Sequence, residues 1–162
     1  MQLALPFTEA IALAEAKEPR PPMVKDLRCE GSTIHADIDL REIPDPSTGL
    51  RLAAAAVGVV AVTLRFADYS DGVVTLVVTA HARALPAHKL VPYLIGPINA
   101  ALRDRGLPPG LVEVQRGESE PWIVIAVQDA VSAKVDGMTV TDLALRDAVI
   151  HVEATVGALR VR

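Results

Sequence analysis

The sequence predicts an α+β fold in which one kinked helix packs against a curved antiparallel sheet of about eight strands. Three observations carry this. The stretch 86–106, PAHKLVPYLIGPINAALRDRG, is the one long segment with helical periodicity. Two period-two hairpins precede it and two follow, 23–84 and 111–161, with turn dipeptides at their bends. The 162 residues are 51% hydrophobic with a mean hydropathy of +0.32, enough to build a core within one domain spanning 1–162.

A short helix is predicted over 6–17, where Phe7, Ile11 and Ala14 share a face, and Glu18-Pro19 ends it. Pro19-Arg20-Pro21-Pro22 then reads as a stiff linker. The first hairpin pairs 23–29 with 32–41 about Glu30-Gly31. Its return arm places Ile34, Ala36, Ile38 and Leu40 on one face, and Thr33, His35, Asp37 and Asp39 on the other. The stretch 43–49 is rich in turn formers.

The second hairpin is predicted to run out over 52–68 and back over 73–84, with Asp71-Gly72 as a type I′ turn. Its outgoing arm, LAAAAVGVVAV, is apolar on both parities, so both faces need cover. The cover would be the central helix on one side, and on the other a second protomer, the N-terminal helix or an apolar ligand.

In the central helix, 86–105, Val91, Leu94, Ile95, Ile98, Ala101 and Leu102 form the apolar stripe. Pro86 suits its first turn, and Gly106 with Pro108-Pro109 stops it. Pro92 and Pro97 each remove an internal hydrogen bond, so a kink, or a short turn at 86–91 followed by a helix at 92–105, is expected. The third hairpin pairs 111–115 with 121–128 around 116–120. The fourth pairs 138–146 with 149–156 about Asp147-Ala148, and 158–162 extends the last strand.

Segments 24–40 and 140–156 align without a gap, sharing Val-x-Asp-Leu and Ile-His in one register, which suggests an internal repeat. The pattern V-x-D-L-x-L-x-D-A-x-I-x-V-x-A-x-V at 140–156 resembles the repeated hairpins of LmeA-like phospholipid-binding proteins. More loosely it resembles tubular lipid-binding domains, to which the prolines of the helix and the GLPPG exit at 106–110 are also similar. The resemblance covers about 85–156. It implies a long helix in a strongly curved sheet and a lipid ligand, and it transfers no individual functional residue. Those families usually carry an export signal or an anchor, and this sequence shows neither.

A formal charge of −4 and five aromatic residues argue against nucleic acid, which needs a basic footprint and stacking platforms. The first ten residues lack a basic n-region, and Pro6 interrupts their apolar run. The longest apolar run, 52–64, is shorter than the ~20 residues of a membrane span, so a cytoplasmic location is expected. Cys29, the one cysteine, reads as a small buried hydrophobe.

His35 and His151 hold equivalent repeat positions. With Asp37 and Glu153 they are the candidate metal ligands, although H-x-D and H-x-E also occur by chance on a solvated strand face, and no metal or cofactor is expected. His81 and His88 flank the helix start and read as surface or capping residues. Asp37-x-Asp39 lacks a calcium loop, and no phosphate loop, dinucleotide fingerprint or nucleophile elbow is present.

Three functional readings follow. In the first, a non-enzymatic module binds an apolar or lipid-like ligand between helix and sheet, at Ala54, Ala56, Val57, Gly58, Val59, Leu94 and Ile98. In the second, the strand 52–64 forms the interface of a homo-oligomer, a dimer being the simplest. The third is an enzyme with an unrecognised site using His35, His151 and nearby carboxylates.

Overall fold

The structure, a computed structural model, describes residues 1–44, 46–81, 87–115 and 120–162, without the side chains of 81, 87, 88 and 90. The fold is α+β, and its strands form two antiparallel sheets in place of the single one expected. The larger sheet has six strands in the order β2-β3-β4-β5-β7-β6: β2 Val24–Glu30, β3 Thr33–Asp39, β4 Val59–Ser70, β5 Val73–His81, β6 Val112–Gln115 and β7 Trp122–Ala126. The smaller has three, β1-β9-β8: β1 Gln2–Pro6, β8 Val135–Arg146 and β9 Val149–Val161. The helices are α1 Phe7–Lys17, α2 Thr48–Val57, α3 Ala87–Asp104 and α4 Val127–Lys134.

The largest correction lies at 52–57. This stretch is helix, not strand, and the second hairpin begins only at Val59. Ser47 caps α2, its Oγ accepting from Leu50 N at 3.2 Å. Ala53 to Ala56 have the highest helix propensity of any residue type. Gly58 ends the helix at φ 75°, and its N–H donates to the Ala54 carbonyl at 3.0 Å. The stretch is apolar on both parities because its period is 3.6: Leu50, Ala53 and Ala54 are buried with Val57 packed beside them, while Leu52, Ala55 and Ala56 face outward.

The central helix runs without a break from 87 to 104 with Pro92 and Pro97 inside it, so no separate turn precedes Pro92. Pro86 and residues 116–119 of the predicted 116–120 loop lie outside the described residues. Val91 and Leu94 are buried against Leu40, Leu50, Val60 and Val78, and this is the centre of the core. Two elements were not foreseen. β1 pairs with the far end of the chain, Gln2 opposite Glu153 and Pro6 opposite Val149. α4 occupies 127–134, where a strand end and a connection were expected; Ala126 gives it no side-chain cap to mark its start.

Two side-chain amides act as short surrogate strands. Asn99 of α3 donates to Val112 O at 2.8 Å and accepts from Val112 N at 3.1 Å, covering the edge of β6. Gln128 of α4 donates to Met138 O at 3.0 Å and accepts from Val140 N at 2.8 Å, covering the edge of β8.

The hairpins β2–β3 and β8–β9 pair in matching register. Arg28 faces His35 as Ala144 faces His151, and Val24 faces Ile38 as Val140 faces Ala154. Each also carries an irregularity at the same place, between Val24 and Asp26 and between Val140 and Asp142. Their turns touch, Ala148 N donating to Gly31 O at 2.8 Å, and the Tyr69 hydroxyl of β4 donates to Val140 O at 2.8 Å. β1 and β7 each run directly into a helix. The start of each helix donates to a hairpin turn, Phe7 N to Ala148 O at 2.9 Å and Gln128 N to Gly72 O at 3.0 Å.

Asp39, placed on the solvent face by the strand alternation, is buried at 5% exposure. It caps a 3-10 turn over Leu40–Glu42, where the first hairpin's return arm had been expected to run on to 41. Its Oδ1 accepts from Arg41 N at 3.0 Å and Arg41 Nε at 2.9 Å, and its Oδ2 accepts from Arg41 Nη2 at 3.1 Å. These bonds hold its carboxyl below the ordinary carboxylate range. A folded value below the unfolded one, about 3.9, stabilises the fold fully above that pH and is lost as pH falls through the folded value. Asp39→Asn is therefore expected to lower the urea midpoint by a constant amount from pH 7 to about 5, with the gap from wild type closing toward pH 3.

Candidate functional site

The structure divides the seven predicted ligand-facing residues. Ala54, Val57, Leu94 and Ile98 converge, but inside the filled core cluster. Ala56 and Val59 face outward, and Gly58 is the cap of α2, with the Arg41 guanidinium 3.6 Å from where a Cβ would sit. The space between α3 and the sheet is occupied at this point by the protein's own side chains.

The two candidate histidines fall in different sheets, His35 on β3 and His151 on β9. His35 Nε2 lies 3.9 Å from Glu30 Oε2. Among the described residues no group of three or more His, Cys, Asp or Glu side chains is placed to hold a metal. His151 and Glu153 do line a concavity of about 430 Å³ on the outer face of the smaller sheet, with Gln2, Asp142 and Arg146. Gln2 Nε2 donates there to Glu153 Oε1 at 3.3 Å. The side chains of His81 and His88 lie outside the described residues. Cys29 is half-buried, and burial raises its thiol pKa, which leaves it a weak nucleophile.

An apolar groove of about 170 Å³ lies instead between α1 and β2. Its floor is Val24 and Leu27. Strict alternation would put these on opposite faces, and the irregularity after Val24 brings them onto one. Its wall is Ile11 and Ala14 of α1, the stripe anticipated for that helix, and Pro21 closes one side. Charge is confined to the rim and mutually satisfied: Arg20 Nε lies 3.2 Å from Glu15 Oε1, and Arg105 Nε lies 3.0 Å from Glu18 Oε2. The α1 stripe was visible in the sequence, but neither the irregularity that brings Val24 and Leu27 onto one face nor the stand-off of the helix from the strand was. α1 has eleven residues against the eight of α4, and the segment 18–23 follows it, whereas α4 runs directly into β8.

No described helix is long and apolar enough to cross a membrane. No protein-family model, curated protein or solved structure matches the chain.

Proposed function

We propose that the chain is a non-enzymatic module that holds an apolar, alkyl-chain ligand between helix and sheet, in the groove of α1 and β2. The observation that carries this is the groove's lining: Ile11, Ala14, Val24 and Leu27 offer only hydrocarbon, while the rim's cations are already paired with carboxylates. Such a surface favours burial of methylene groups, about 0.8 kcal/mol for each. It offers no free charge to hold a charged head group inside. The resemblance of 140–156 to phospholipid-binding hairpins supports the same ligand class. Duplication belongs to this reading too, supported by the common register and common irregularity of β2–β3 and β8–β9.

A second reading, a homo-oligomer, is favoured by the outer face of α2. Leu52 is 69% exposed there, and the exposed Tyr93 lies across Gly49, one turn from Leu52.

Native mass spectrometry with added 1-decanol tests both. Wild type is expected to bind one decanol per chain, and Leu27→Trp, which fills the groove floor, is expected to bind none. Equal binding by the two, or none by wild type, would reject the groove as the site. The same spectra count subunits: a dimer that Leu52→Lys splits supports the oligomer, and a monomeric wild type rejects it.

A further inference from the structure

We propose that α1 is a lid over the groove, hinged at Phe7 and latched at its far end by Glu18 and Arg105. The inference rests on the groove being a ligand site. Its starting point is size. Sites for small organic ligands usually measure roughly 300–1,000 Å³, and the groove measures about 170 Å³. A chain of useful length is enclosed only if a wall moves to enlarge the groove, and the lightly held wall is α1.

The hinge end of α1 is fixed. Phe7 is the helix's one buried residue, and its N–H is bound to the Ala148 carbonyl. β1, which leads into it, is paired along its length with β9. Beyond Phe7 the helix is lightly held, and Leu13 is 64% exposed. The latch end is polar. Glu18 Oε2 meets Arg105 Nε at 3.0 Å, and Arg105 Nη2 donates to Pro19 O at 2.7 Å. Arg105 is itself anchored, because its carbonyl accepts from Lys134 Nζ at 3.0 Å. The latch therefore joins a light helix to a fixed post.

The corresponding helix shows what a permanent closure looks like. α4 is stitched to β8 by Gln128, its second residue, through Met138 O and Val140 N. α1 has Thr8 as its second residue, too short to reach a strand in that way. It relies instead on ion pairs at the solvent boundary, which contribute little individually and weaken with salt. The 18–23 linker, with three prolines, gives the far end of α1 a stiff arm on which to swing.

Amide hydrogen exchange on the full chain, without ligand, tests the lid. Glu18→Arg, which sets two cations together, is expected to speed exchange of amides 11–17 about two- to fivefold, leaving β1 amides unchanged. Glu9→Gln, also on α1 but away from the latch, should match wild type. The double variant Glu18→Arg/Arg105→Glu should return exchange toward wild type. Stopped-flow binding of 1-decanol should show a faster association rate for Glu18→Arg. Unchanged exchange in 11–17, equal acceleration in β1 and α1, or an unchanged association rate would overturn the lid. If neither form binds decanol, the groove as a site is rejected, while the exchange data still decide the hinge and latch.

Discussion

Val91→Asp is expected to abolish soluble, folded protein. Val91 is 1% exposed, at the centre of α3's apolar face, with Leu50, Val60 and Val78 in the same cluster. The described residues of that cluster are all hydrocarbon side chains or Met, and burying an unpaired ion among them costs several kcal/mol even after relaxation. Lost packing adds about 2 kcal/mol. The sum approaches the ~5–15 kcal/mol that stabilises a typical domain. Ile98→Asp, two turns further along and only half-buried, should be less damaging because its carboxylate can reach water. Expression yield and cooperative melting check both. A Val91→Asp protein melting within a few degrees of wild type would show that α3 does not organise the core.

Gly137→Ala is the second large expected effect, and it comes from a position with no hydrophobic role. At φ +85° the residue lies where side chains are strained, and an added Cβ would collide with the Ala158 carbonyl. The pairing explains the crowding. Asp136 faces Arg160 and Met138 faces Val156, so Gly137 sits opposite the three residues 157–159. Left-handed strain costs about 1–2 kcal/mol, and backbone displacement adds to it. The start of β8 and the end of β9 should come apart, with the bonds between Arg162 and Asp136 lost. We expect a loss of at least about 2 kcal/mol, a fall in Tm of roughly 4–8 °C. Thermal melting gives the magnitude, and amide exchange at 158–161 shows whether the damage is local.

The features legible in the sequence are those set by neighbouring residues. Asp71 and Gly72 both take positive φ, as a type I′ turn requires, because Asp-Gly tolerates that conformation. The α3 stripe announced itself because Val91, Leu94, Ile95, Ile98 and Leu102 recur at helical spacing, with Pro, Gly, Tyr and Asn between them. By contrast, 52–57 contains almost nothing but Ala, Leu and Val, and without polar residues to mark a period helix and strand read alike. The division into two sheets depends on β1 meeting β9, a pairing that no local pattern encodes. The groove needed the same kind of non-local information: Ile11, Leu27 and Arg105 each look ordinary in their own segments, and only the stand-off of α1 makes them neighbours.

The pairing of β1 with β9 also fixes the order in which the fold can be completed during synthesis. Gln2 meets Glu153 across a sequence separation of 151 residues. The larger sheet draws only on residues up to 126 and can assemble while the chain is still being made. The smaller cannot: β1 leaves the ribosome ahead of the other described strands and then waits, unpaired, for β9 to appear. Contacts of such range slow folding, because the loop must close before any bond rewards it. Refolding from urea should therefore be biphasic, with the amides of β1 among the last to become protected.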